Sequence, residues 1–198
     1  MKRRQIDTDL LDRAVIFAVH AHRGIERKGK GFPYIVHPLE AVEIVATMTN
    51  DQHLLAAAVL HDVIEDTDTT ADDLRREFGE RVALLVEAES DIPVDGSRSE
   101  SWHARKQAAI ERLANAPHDV KVVALGDKLS NIRAIARDFA IQGDAIWNLF
   151  NVKDAKEHEW HYRGLADSLR ELQDTFAYKE FERLVDQVFG RVKHDENE

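Results

Sequence analysis

The sequence predicts an all-α fold, a single helical bundle of about eight to ten helices. Three observations carry that prediction. The chain holds only 9 Gly and 4 Pro in 198 residues, so the periodic segments run long before anything interrupts them. Apolar residues recur at helical spacing, and alternation of period two never persists. A chain of this length fits one domain and buries roughly 70% of its unfolded surface, so it needs no disulfide staple. It contains no Cys, which suits a reducing compartment, and a cytoplasmic protein is expected.

The first helix is expected over residues 9–23, with Leu10, Leu11, Ala14, Phe17, Ala18 and Ala21 forming its apolar stripe. Residues 24–33 read as a basic, glycine-bearing loop. Pro38 opens a second helix with Leu39, Val42 and Val45 facing inward. A third runs from Asp51 to Asp66. Thr69 and Thr70 offer N-caps for residues 71–78, Gly79 stops that helix, and residues 81–88 form another. Residues 90–101 (SDIPVDGSRSES) read as a surface loop, either a lid or a plain link between helices. Helices follow at 102–116 and 118–142, the latter entered by Pro117 and closed by Gly143. The last two span 153–173 and 178–189. The domain is placed at 1–192 and a polar, frayed tail at 193–198.

Charge and composition exclude several classes. Lys and Arg total 27 against 37 Asp and Glu, a net charge of −10. Such a chain is poorly suited to sequence-blind nucleic-acid or anionic-membrane binding, although a basic pocket for a small anion remains compatible with it. No apolar run reaches the roughly 18 residues of a membrane span, and the N-terminus lacks the apolar core of a secretory signal.

The chemistry is concentrated where charges interrupt apolar helices. Residues 54–60 (LLAAAVL) are apolar around the whole circumference, as in a helix buried on all sides. His61, Asp62, Glu65 and Asp66 follow, within an arc of roughly 140° at helical spacing. Carboxylates packed this closely repel and lose hydration unless a cation neutralises them. Either a divalent metal does so, or the helix end simply emerges into water. The apolar run 120–125 leads in the same way to Asp127, with Asn131 one turn on. On its own Asp127 reads sooner as the ion-pair partner of Lys128 or a neighbouring arginine than as a ligand. His37, just before Pro38, reads on its own as a loop histidine. The other histidines show no paired metal spacing and read as surface or packing residues.

Two patterns are decoys. GIERKGKG (residues 24–31) lacks the Ser or Thr that a phosphate-binding loop needs at its last position, and it follows a helix rather than a strand. His158 and His161 are three apart, not the four of the zinc-protease pattern.

Taken in order, His37, the His61-Asp62 dyad and Asp127 resemble the H…HD…D signature of the HD-domain metal-dependent phosphohydrolases. The likeness is greatest to the hydrolase domain of the RelA/SpoT homologues, in particular the stand-alone small alarmone hydrolases of the metazoan SpoT-homologue type. Three blocks carry it: FAVHAHRGIERKGKGFPYIVHPLEAVEIV, LLAAAVLHDVIEDTDTTADDLRREFGERVALLV and VALGDKLSNI. The resemblance covers residues 8–175 and implies an all-α fold. It implies that His37, His61, Asp62 and Asp127 hold one divalent ion, typically Mn²⁺, and that Glu65 and Asp66 are the catalytic pair handling the attacking water. It implies that Arg27 and Lys28 pack near a nucleotide base, that Asn131 faces the ribose, and that Lys156 and Tyr162 reach the phosphates.

The implied activity is (p)ppGpp 3′-pyrophosphohydrolysis on a small-molecule nucleotide. With no synthetase block following, the chain is expected only to degrade. Ile25 where the family often has Gln, Phe32 before PYI and a basic loop one residue longer all surround the base site. They leave open (p)ppApp, NADPH or another phosphorylated nucleotide, such as a nucleoside monophosphate, as substrate. A nucleotide-binding sensor without catalysis is the other alternative, and the intact Glu65-Asp66 pair speaks against it.

Overall fold

The structure is a computed structural model describing residues 7–90 and 102–190. The described residues are helical, with no β-strand among them; one isolated bridge, Glu26 to Pro33, pinches the basic loop. The expected tail and most of the 90–101 loop lie outside the described residues.

The helices are α1 (Asp9–Ala21), α2 (Val36–Ala46), α3 (Gln52–Leu60), α4 (Val63–Asp66), α5 (Ala71–Phe78), α6 (Glu80–Glu89), α7 (Trp102–Ala114), α8 (His118–Gln142), α9 (Ala155–Ser168) and α10 (Phe176–Phe189). Short 3₁₀ segments occupy Gly143–Leu149 and Arg170–Leu172. Helix α8 runs through the middle and packs against α2, α3, α6 and α10, while α7 and α9 pair beside it. Every residue of α3 from Leu54 to Leu60 is buried, as its all-round apolar character requires. Thr70 caps α5 in a reciprocal capping box with Asp73, and Gly79 at φ +85° turns the chain into α6.

Several boundaries differ from expectation, among them α9, which ends at Ser168 rather than at residue 173, and two of the differences shape the site. Helix α2 begins at Val36, so His37 lies inside the first turn rather than before it. Pro38 remains tolerated there because first-turn N–H groups need no helical partner. Leu39 is exposed rather than inward; Ala41, Ile44 and Val45 make the buried face. The expected third helix breaks after Leu60. Asp62 sits at φ −97°, ψ −3°, and the chain restarts as the single turn α4. His61 and Asp62 fall at that break.

A glycine sets the spacing of the two central helices. A Cβ on Gly126 would stand 2.6 Å from Val45 Cγ2 and 2.9 Å from the Ala41 carbonyl oxygen. Its absence lets α2 and α8 approach closely and brings His37 to Asp127. Gly164 does the same for α7 and α9, where a Cβ would meet Ile110 at 2.6 Å.

Candidate metal centre and cavity

Three helices deliver four side chains to one point. His37 comes from α2, His61 and Asp62 from the break between α3 and α4, and Asp127 from α8. His37 and His61 bring their Nε2 atoms to 3.2 Å. Asp62 Oδ2 lies 2.8 Å from His61 Nε2 and 3.5 Å from His37 Nε2. Asp127 Oδ1 lies 3.1 Å from His37 Nε2 and 3.4 Å from His61 Nε2. His37, His61 and Asp127 are buried, and their ligand atoms lie within 4.8 Å of one another.

The donor set fits a divalent cation. His61 Nδ1 is 2.8 Å from the Ala58 carbonyl oxygen, which only accepts, so the ring proton sits on Nδ1 and the Nε2 lone pair faces the cluster. Two imidazole nitrogens and two carboxylate oxygens thus converge on one point, where the carboxylates favour a cation, whether a proton on His61 or a divalent ion in its place. Burial by itself would lower the proton affinity of His61, yet the Asp62 and Asp127 carboxylates override it and hold the imidazole well above its ordinary range. Burial also opposes ionisation of Asp62 and Asp127. The His61 ring outweighs it for Asp62, and Lys128 with His61 for Asp127, keeping both well below the carboxylate range. The cluster draws positive charge, and a mixed imidazole–carboxylate set suits a first-row divalent ion.

The two readings of Asp127 prove compatible, one for each oxygen. Oδ1 faces the histidines and accepts from Asn131 Nδ2 at 2.6 Å, while Oδ2 accepts from Lys128 Nζ at 2.6 Å. Asn131 also accepts from Arg27 of the basic loop, and Lys30 pairs with Asp138 to tie that loop to α8. Tyr34 donates to Asp62 Oδ2 at 2.5 Å, and the Arg27 guanidinium lies 5.2 Å from its ring centroid. Burial and the Asp62 charge push the Tyr34 phenol up, so it remains a donor.

A cavity of about 550 Å³ opens onto this centre. Arg27, Asn131, Tyr162 and Glu65 line it, as do His37, His61, Asp62 and Asp127. Lys28, Asp66 and Lys156 are exposed and are not among its lining residues. Asp66 lines a neighbouring open groove, which Glu65 also borders.

Several lining residues carried no role in the sequence reading. Lys106, Arg112 and Lys128 add cations to the wall, and Glu89 adds a buried carboxylate 3.6 Å from Lys128. Burial pushes the Glu89 carboxyl up to about 7. The far wall is aromatic. His158 is buried, stacks on Trp147 at 5.0 Å and meets the edge of Trp102 at 5.4 Å, while its Nε2 lies 2.8 Å from the Val152 carbonyl oxygen. His22 is another buried histidine, packed against the Tyr34 ring at 4.8 Å.

Helical bundle, convergent histidine–aspartate cluster and adjoining cavity define a divalent-metal hydrolase domain. The family model described as "HD domain" matches residues 14–154, and the chain belongs to this family of metal-dependent phosphohydrolases. It is 37% identical over 133 residues to the zebrafish (Danio rerio) guanosine-3′,5′-bis(diphosphate) 3′-pyrophosphohydrolase MESH1, covering 66% of this chain and 71% of that protein. It is 36% identical over 125 residues to a protein of the same enzyme name from Aquifex aeolicus, covering 63% of this chain but 18% of that longer protein. Among solved structures, one reported under "A metazoan ortholog of SpoT hydrolyzes ppGpp and plays a role in starvation responses" superposes with a TM-score of 0.77 at 24% identity. It covers 95% of this chain and 100% of that one, a likeness of fold.

Proposed function

We propose that this chain is a Mn²⁺-dependent 3′-pyrophosphohydrolase of (p)ppGpp or a close analogue. The observation that carries the reading is the cluster of His37, His61, Asp62 and Asp127 opening directly into a cavity that also holds Glu65 and several cations. The name of the zebrafish relative gives the reaction class.

In this reading His37, His61, Asp62 and Asp127 hold one ion. Bound there, it supplies Lewis acidity toward a phosphoryl oxygen and lowers the pKa of a coordinated water. Glu65, at the cavity edge, orients the attacking water and accepts its proton. Lys106, Arg112 and Lys128 offset the phosphate charge, while Arg27 holds the nucleotide from the loop side. Asn131 ties Arg27 to Asp127, so the loop that receives the nucleotide is joined to the centre that cleaves it. The diphosphate passes from the 3′ oxygen to water, releasing pyrophosphate and leaving a 3′-hydroxyl. Asp66, next to Glu65 on α4, is the second member of the pair that handles the water.

A cytoplasmic location accords with the absence of Cys and with the fact that no helix among the described residues is long and apolar enough to cross a membrane.

The test is turnover of ppGpp, ppApp and NADPH side by side with Mn²⁺, reading pyrophosphate or phosphate. Pyrophosphate from ppGpp, abolished by chelator and restored by Mn²⁺, is the expected result. Release from ppApp alone, or phosphate from NADPH alone, would reassign the substrate. Tight binding of ppGpp with no product would establish the sensor reading.

A further inference from the structure

The two imidazoles of the centre are held by unlike means. His61 Nδ1 uses a backbone carbonyl. His37 Nδ1 meets Ser130 Oγ at 2.7 Å, and Ser130 Oγ donates to Glu40 Oε2 at 2.7 Å. A hydroxyl has one proton to give, and an ionised Glu40 can only accept. The Ser130 proton is therefore committed to Glu40, and what Ser130 offers His37 is a lone pair. That places the His37 ring proton on Nδ1 and leaves the Nε2 lone pair aimed at the cluster.

Glu40 is itself held. Its Oε1 accepts from Arg133 Nη1 at 3.3 Å, and Arg133 forks onto Glu180 through Nε at 2.9 Å and Nη2 at 2.7 Å. The chain Glu180–Arg133–Glu40–Ser130–His37 runs from α10 through α8 and α2 into the metal centre. Ser130, its innermost link, is 1% exposed.

We propose that Ser130 and Glu40 are positioning residues for the metal centre. They lock His37 in its ligating tautomer, and Arg133 sets the sense of the lock. This rests on the metal-centre reading above. Metal-bound histidines commonly donate their second ring N–H to a carboxylate or carbonyl, which fixes the ring and raises its basicity. Here a serine hydroxyl is interposed, so the direction of a single O–H decides the tautomer.

Glu40→Gln tests this with almost no change of shape. Arg133 requires an oxygen from residue 40, which turns the amide nitrogen toward Ser130. The Ser130 hydroxyl must then accept from Gln and donate to His37 Nδ1. His37 would carry its proton on Nε2, facing the ion.

The experiment is calorimetric titration of the chelator-stripped full chain with Mn²⁺ alone. Glu40→Gln and Ser130→Ala should each weaken binding by about 10- to 100-fold. Ser130→Thr, which keeps the hydroxyl, should bind close to the parent chain. The double variant should be little worse than either single one, since both break one chain. Asp127→Ala provides the control and should abolish binding. If Asp127→Ala loses the ion while Glu40→Gln and Ser130→Ala bind within twofold of the parent, the lock is refuted and the metal centre stands. If Asp127→Ala binds like the parent, the metal-centre reading itself fails and the lock with it. Should Ser130→Ala not fold, the near-isosteric Glu40→Gln decides alone.

Discussion

The two ends of the cavity are built on different principles. The inner end is a point where α2, α8 and the α3–α4 break converge, with each ligand oriented by a partner behind it. The Ala58 carbonyl, Ser130, Asn131 and Tyr34 stand behind His61, His37, Asp127 and Asp62 in turn. The outer end is a wall of rings from α7, α9 and Phe150, with Trp102, Phe150, His158 and His161 among its lining residues. The inner end fixes atoms to within a hydrogen bond, whereas the outer end offers flat surface and shape. Reaction type should therefore belong to the first and substrate preference to the second.

The largest effects should come from the inner end. Asp127→Ala removes a ligand and should lower turnover by a factor on the order of 10³ or more, with loss of Mn²⁺ binding. Glu65→Gln should lower kcat by about 10²- to 10⁴-fold while leaving Mn²⁺ affinity unchanged. Steady-state kinetics paired with titration separates the two. Near-normal turnover by Glu65→Gln would break the assignment of the water-handling role.

Glu89 lies beside the inner end, 3.6 Å from Lys128, and burial pushes its carboxyl up to about 7 from an ordinary value of 4.5. A carboxyl with a raised folded pKa binds its proton more tightly in the native than in the unfolded chain. Its contribution to stability is complete below pH 4.5 and is lost as pH rises toward 7. Denaturant unfolding in chelator should therefore show the parent chain losing up to about 3 kcal/mol relative to Glu89→Gln across that window. Parallel pH profiles for the two would refute it.

Gly126→Ala should cost up to about 2 kcal/mol. Overpacking against Val45 and the Ala41 carbonyl costs roughly 1–3 kcal/mol, offset by roughly 1 kcal/mol of helix propensity. Because the strain falls between α2 and α8, Mn²⁺ affinity should drop as well; a stabilised variant with unchanged affinity would contradict the close-approach argument. At the outer end, His158→Ala should raise KM about tenfold and leave kcat within about threefold, the signature of lost uniform binding. A fall in kcat at unchanged KM would instead move that wall into the chemistry.

The inner end was largely legible because charge inside an apolar helix is conspicuous. His61, Asp62 and Asp127 follow the runs LLAAAVL and VKVVAL closely enough to stand out. His37 was not separable from a loop histidine by its own surroundings and emerged only from the order of the motifs. Periodicity fails in two further ways. It assumes a continuous helix, whereas the chain breaks at His61 and Asp62 and restarts as the single turn α4. It also says nothing about which helices meet. Ser130 and Glu40 are 90 residues apart and look like ordinary helix residues until Gly126 lets α2 reach α8. The aromatic wall was hidden for the same reason, since Trp102 and His158 sit at spacings that also describe plain packing.

The central claim is that four side chains from three parts of the chain hold one divalent ion at the inner end of this cavity. Crystals grown with Mn²⁺ and measured at the manganese absorption edge test it directly. The account predicts one anomalous peak per chain, within coordination distance of His37 Nε2, His61 Nε2, Asp62 and Asp127. No peak there, or a peak that leaves His37 or Asp127 outside coordination distance, would contradict it.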